Sequence, residues 1–275
     1  IDPIQIVRAA VAAVPFNYPQ TASQGRYLWR ETYADSTRAD TLDAILRIHD
    51  KIGYETRNWQ RVVNGRTAQI DSLHHRSDWE GVRRRWDSYS IIDVFGHDPL
   101  LNNDRPLHPS RFRYYSYQLL GTQRFAGKKV FVIAFTNEKP NVYTAGTTHL
   151  ATHTGKMYIN SDDFALVRYE ETLTQRPYVH KDRTTIMSVE RSYQYSQRQG
   201  KYVLSLVRVS NHHRISTEFS EHRTNQEKEL YLLDWDKDPS APLNYPLMKL
   251  SNQPLREEIQ WNSERLFTTL ESGPQ

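Results

Sequence analysis

Residues 111–171 constrain the fold more than any other part of this chain. They read RFRYYSYQLLGTQRFAGKKVFVIAFTNEKP and, after a polar segment, GKMYINSDDFALVRYEE. Residues 112–120 are rich in Tyr and Phe, Gly121 and Gly127 punctuate, and 129–136 are β-branched and aromatic without a breaker. Residues 155–160 and 164–171 are short runs joined by Ser161-Asp162-Asp163. Runs of this length, bounded by Gly, Asn, Asp and Ser, are strands joined by tight turns. The pattern predicts a meander of four consecutive antiparallel strands, with Val130 to Phe135, apolar on both faces, as its most buried and central strand.

The chain before the meander supplies helices and further strands. Asp2-Pro3 is a helix start, Asp as N-cap and Pro at the first helical position. Ile4, Val7, Val11 and Val14 follow at helical spacing, and Pro15 is expected to stop the run. Residues 26–33 alternate, with Tyr27, Trp29 and Tyr33 on one side and Glu31 breaking the set. Residues 41–52 fit both a strand and a helix, and their place between strands favours a strand. Residues 58–70 read as a strand pair turning at Asn64-Gly65. In 71–101, Trp79, Val82, Trp86, Tyr89 and Ile92 to Phe95 are spaced for a helix that ends near Gly96 and packs on the sheet.

After the meander, 172–183 read as a loop around Pro177. Residues 188–197 alternate, turn at Gln199-Gly200 into 201–210, and 227–235 form another strand. Pro239, Pro242, Pro246 and Pro254 then mark an extended tail, with a helical stripe of Leu255, Ile259, Leu266 and Leu270. The expected architecture is α+β: a large curved antiparallel sheet, a half-open barrel of about ten strands, with helices covering one face. Residues 1–235 form the single curved-sheet domain and 236–275 the Pro-rich tail.

Composition fits a sheet with one wet face. Only 37% of residues are hydrophobic and mean hydropathy is −0.76, yet there are 17 Tyr and 6 Trp, which lend apolar area while keeping a polar handle. Thirty-six basic and 32 acidic residues are well mixed, and a net charge of +4 argues against a nucleic-acid partner. The run Arg83-Arg84-Arg85 reads as a solvated helix face. With no cysteine there is neither disulfide nor thiolate chemistry. No apolar run approaches the roughly 20 residues of a membrane-spanning helix. The chain begins at Ile1, which reads as a fragment or a mature region.

Catalytic motifs are sparse. His149 and His153 have metal-ligand spacing on a helix, but the surrounding Gly and Thr residues make the segment a loop, and no Glu follows His149. His74-His75 and His212-His213 are adjacent pairs, which a strand splits between its faces. Thr154-Gly155-Lys156 lacks the upstream Gly of a phosphate loop, and there is no G-x-S-x-G elbow. The paired acids Asp162-Asp163 and Glu170-Glu171 read as turn and surface carboxylates. A metal-assisted hydrolase using the His149/His153 loop with Asp162 is the alternative to a non-enzymatic reading. The aromatic sheet remains. Phe131, Ile133, Phe135, Tyr158, Phe164, Leu166 and Tyr169 are expected to line an apolar cavity or to fill a dry core.

The order of motifs resembles a known arrangement. Asn17-Tyr18-Pro19 ends the leading helix and Tyr27-x-x-Arg30-Glu31 lies in the next strand. Asp93-x-Phe95 and Pro99-Leu100-Leu101 follow, then a Tyr-rich strand with Leu-x-Gly, VFVIAF and GKMYIN. This resembles the region following the carboxypeptidase-regulatory-like domain in envelope proteins of Bacteroidetes-type bacteria. The meander is similar to that of the LolA/LolB-like outer-membrane lipoprotein carriers, in which a half-open barrel holds acyl chains beneath helices. The resemblance implies a periplasmic or outer-membrane-associated binding or scaffold domain. It would hold a lipid or other apolar ligand, or an envelope protein partner, without catalytic residues or cofactor.

Overall fold

The computed structural model describes residues 2–35, 37–54, 66–77, 94–102, 105–141, 150–237 and 239. Helix α1 spans Pro3–Asn17; Asp2 caps it, its carboxylate accepting from the Ile4 N–H at 3.0 Å. Ile6, Val7, Ala10 and Val14 are its buried face, with Ile4 and Val11 half-buried beside them. The helix runs through Pro15 rather than stopping there. Pro15 sits in the last turn, where it removes one N–H, and the Tyr18 N–H still closes on the Val14 carbonyl at 3.1 Å.

The strands are β1 (Ser23–Asp35), β2 (Ala39–Asp50), β3 (Arg66–Ser77), β4 (Ser116–Phe125), β5 (Lys128–Asn137), β6 (Leu150–Asn160), β7 (Leu166–Gln175), β8 (Tyr178–His180), β9 (Arg183–Arg198), β10 (Lys201–Ser216) and β11 (Glu221–Asp236). Ten form one open sheet in the order β3-β2-β1-β11-β10-β9-β7-β6-β5-β4, and β8 pairs with β9 off that path. Every pairing is antiparallel. Three meanders make it up (β1–β3, β4–β7 and β9–β11), and the β1–β11 pairing brings the two ends of the described chain together.

The sheet curls. Ile48, Arg66, Gly25, Trp235, Val203 and Leu204 come from five consecutive strands and line one cavity of about 40 Å³. Five strands laid flat span roughly 19 Å, so their side chains meet around so small a space only inside a curl. The concave face carries the core, covered by α1 and by 94–102 and 105–115, the last of which includes a 3-10 helix (Pro109–Tyr114). On the convex face Leu28 and Tyr231 form a small separate cluster with Ile45, Leu206 and Leu233. Ion pairs such as Arg30–Asp43 (2.7 Å) and Arg208–Glu229 (2.9 Å) flank it.

The predicted four-strand meander is present as β4–β7, with changes of detail. The expected α+β balance becomes mostly antiparallel β, and residues 71–77, which open the segment in which a covering helix was expected, are the second half of β3. Residues 94–96 are helical, and 78–93 lie outside the described residues, as do the Asn64-Gly65 turn and nearly all of the tail from 236 onward. Residues 112–114 are 3-10 helix, so β4 starts later, and it runs through Gly121. Gly121, at φ +127°, sits at the register shift with β5. The ambiguous 41–52 segment is strand β2. β5 is not central: it lies one strand from the β4 edge. Ile133 and Phe135 are nonetheless buried, because the cover lies over that end of the concave face, and Val130, on the opposite phase of the strand, is buried as well.

Candidate functional site

A buried polar seam joins the concave face to its cover. Strand alternation carries Phe135 of β5, His153 of β6, Tyr169 and Glu171 of β7 and Arg191 and Tyr193 of β9 onto one face, since Phe135 stands opposite Gly155, Met157 opposite Tyr169, and Glu171 opposite Arg191. Glu171 is the centre. Its Oε2 accepts from His153 Nε2 (2.9 Å) and the Tyr169 hydroxyl (3.0 Å), and its Oε1 from Arg191 Nη1 (3.1 Å). Arg105, from the cover, brings Nε to 3.3 Å from Glu171 Oε2, an ion pair whose Nε–H is not aligned as a hydrogen bond. Its Nη2 reaches His97 Nδ1 at 3.0 Å.

Burial alone would push the Glu171 carboxyl up, but Arg105, His153 and Arg191 together outweigh it and hold Glu171 well below the usual carboxylate range. Burial, helped by the two guanidinium groups, lowers His153 despite its bond to Glu171. His153 is therefore neutral: Nε2–H donates to Glu171, and Nδ1 accepts from the Tyr115 hydroxyl at 2.8 Å. Both ring nitrogens are occupied.

A second carboxylate, Asp98, is fully buried in the cover. Its Oδ1 accepts from the Tyr195 hydroxyl (2.7 Å) and the Leu100 N–H (3.0 Å), and its Oδ2 from the Tyr54 hydroxyl (3.0 Å). Burial raises its pKa against the opposing pull of Tyr195 and Arg66. Other tyrosines pin the same cover: Tyr193 to the Val94 carbonyl (3.3 Å), Tyr117 to Pro106 (2.7 Å), and Tyr18 of the Asn17-Tyr18-Pro19 motif to Leu166 (2.7 Å). Each presents an apolar ring to the core and a hydroxyl to a buried acceptor.

Of the seven predicted cavity residues, Phe131, Ile133, Phe135, Leu166 and Tyr169 share the concave face. Phe135 stacks on Tyr169 (5.4 Å, 16°), and Phe131 on Phe164 (6.5 Å, 16°). Phe164 is in the β6–β7 turn at φ +57° rather than in a strand. Tyr158 faces the other way, opposite Val132 and Arg168, and donates to Glu170 at 3.0 Å. The concave members are packed against protein side chains: Ile133, Phe135, Leu166 and Tyr169 are at most 1% exposed.

Three expectations change here. His153 is not in a solvent loop but buried in β6, with His149 outside the described residues. Asp162 lies past the far end of the same strand, more than seven residues from His153 and so roughly 24 Å or more away. The hydrolase pairing is not assembled, and no group of three or more metal-ligating side chains occurs among the described residues. Glu171 is not a surface acid but the hub of the seam. Sequence reasoning missed this role, together with those of Asp98 and Arg105. One signal was available: Glu171 falls on the same alternating phase as Tyr169 and Leu173, where only apolar residues are expected.

Fold and site together define an open, curled antiparallel sheet whose apolar concave face is shut by a cover pinned through buried tyrosines and one charge cluster. No family model matches the chain, and no curated protein does. Among solved structures, it is similar to a domain described as that of an outer membrane lipoprotein-sorting protein from Vibrio parahaemolyticus (11% identity, 86% of this chain and 93% of that one, TM-score 0.37). It is also similar to a DUF1329 family protein from Desulfovibrio piger (12%, 85% and 94%, TM-score 0.33) and to the lipoprotein LppX of Mycobacterium tuberculosis (12%, 88% and 97%, TM-score 0.29). At these scores the likenesses assign no activity.

Proposed function

We propose that this chain is a non-enzymatic binding domain of the cell envelope that holds a lipid or other apolar ligand against its concave face, as the LolA/LolB-like resemblance implies. One observation carries the reading: the apolar face of a curled sheet is closed by elements outside the sheet ladder. α1, 94–102 and 105–115 are attached through side chains, so they can separate from the sheet without breaking a strand pairing. The 40 Å³ cavity beside Tyr27 and Trp235 has room for about three water-sized groups and none for an acyl chain, and Ile133, Phe135, Leu166 and Tyr169 are at most 1% exposed, so contact with a ligand at these side chains requires the cover to lift.

Phe131, Ile133, Phe135, Phe164, Leu166 and Tyr169 are the proposed apolar contacts once it does; Tyr158 drops out by orientation. No helix among the described residues is long and apolar enough to cross a membrane. A periplasmic or outer-membrane-associated location, and an upstream carboxypeptidase-regulatory-like domain, belong to the same reading. Native mass spectrometry after gentle purification tests it. A co-purifying lipid at near-stoichiometric level is expected. A ligand-free spectrum, unchanged after incubation with fatty acid or phospholipid, would leave a scaffold domain instead.

A further inference from the structure

One end of the sheet projects. The β7–β9 ladder ends at Thr174–Ser188 and the β1–β11 ladder at Asp35–Thr224. Beyond those pairs, among the described residues, β9, β10 and β11 bond only to one another and to β8 for about four more residues, roughly 14 Å at 3.4 Å per residue. Among the described residues this tongue has no sheet neighbour and no core of its own, yet it carries three of the large exposed apolar side chains of the described chain. Tyr178 is 63% exposed, Val179 65% and Phe219 90%.

All three lie toward the tip, with Tyr178 and Val179, consecutive in β8, on opposite faces of the tongue. Val179 pairs with Thr184, which pairs with Ser216, placing Val179 two strand spacings (roughly 10 Å) from Ser216. Phe219 stands just beyond, in the turn closed by the Thr217 N–H on the Ser220 carbonyl at 2.8 Å. Over 176–184 and 212–223 the basic residues Arg176, Lys181, Arg183, Arg214 and Arg223 are all exposed; five cations face three acids, Asp182, Glu218 and Glu221, and Glu221 is held by Arg223 at 2.6 Å.

We propose that this β-tongue docks the protein onto an anionic lipid surface. Phe219, Val179 and Tyr178 enter the interface while the surrounding Arg and Lys side chains meet the head groups. Apolar residues at a projecting tip, ringed by excess positive charge, match a surface with acyl chains below a negative head-group layer. A second copy of the chain fits less well, because a two-fold contact would bring both cationic rings together. The inference stands whether or not the concave face carries a ligand.

Co-sedimentation of the full chain with vesicles tests it, using phosphatidylcholine alone and phosphatidylcholine with 30% phosphatidylglycerol. Binding to the anionic vesicles only, weakened in 0.5 M NaCl, is expected. Phe219→Ser with Val179→Ser should reduce partitioning about tenfold or more, and each of Arg176→Gln, Arg183→Gln and Arg214→Gln by up to about fivefold. Phe16→Ser, at an exposed position on α1 outside the tongue, should change nothing. Matching melting curves would show that the variants fold. Absence of binding, equal binding to both vesicle types, or loss of binding with Phe16→Ser alone would overturn the proposal. So would tongue-dependent self-association in size-exclusion chromatography without vesicle binding.

Discussion

Arg105 and Glu171 lie 3.3 Å apart, almost entirely shielded from solvent, and join the cover to the sheet. Removing one member of a buried ion pair leaves the other uncompensated, at a cost of about 3–5 kcal/mol. Glu171 also serves Arg191 and His153, so Glu171→Gln should lie at the upper end of that range and Arg105→Met lower. Urea denaturation of the two single variants and the double variant gives the coupling directly. Additive losses would mean that the two residues act independently.

Stability should fall on acidification in two stages. His153 has a folded pKa below its ordinary 6.5, so its contribution is full above 6.5 and is lost as pH falls from there through the folded value. Glu171, held well below 4.5, contributes fully above 4.5 and loses that contribution as pH drops further. Asp98 has the opposite sign: its raised pKa favours the fold at low pH, and that benefit is lost as pH rises through its folded value. Denaturant midpoints of the parent and His153→Gln across pH 3 to 8 should differ in slope mainly at and below about 6.5. Parallel profiles would remove His153 from the account.

Phe135 and Phe131 separate packing from ligand contact. Phe135 is 1% exposed between Tyr169, Tyr115 and His153, so Phe135→Ala should cost about 3–5 kcal/mol. Phe131 is half-buried and, among the described residues, stacked on Phe164, so Phe131→Ala should cost less and show its effect in ligand retention. Thermal melts paired with native mass spectra check both. Equal, large losses without any change in bound lipid would favour a purely structural role.

Gly155 marks a close approach on the concave side. A Cβ there would lie 2.0 Å from the Glu170 carbonyl oxygen and 2.4 Å from the Phe135 ring. Backbone cannot yield cheaply, so Gly155→Ala should destabilise by about 1–3 kcal/mol and disturb the Phe135–Tyr169 stack. Near-ultraviolet circular dichroism with a urea melt reads both effects. An unchanged aromatic signal would show that β6 shifts instead.

What the sequence by itself determined is local: the N-cap at Asp2, the β4–β7 meander, and the strands on either side of Gln199-Gly200 were legible because turn chemistry and alternation act over a few neighbouring residues. The helix stop at Pro15 failed because one missing N–H near a helix end is tolerated when the face is buried. The centrality of β5 failed because an apolar run reports burial on both faces and not position in a sheet. Only the tertiary structure decided that β11 returns beside β1 and that Glu171 is inside. The phase of Glu171 marks it as facing inward, but a glutamate is as compatible with solvent as with burial until Arg105 and Arg191, from separate parts of the chain, arrive to neutralise it and His153 donates to it, and which partners those are leaves no trace in the local pattern.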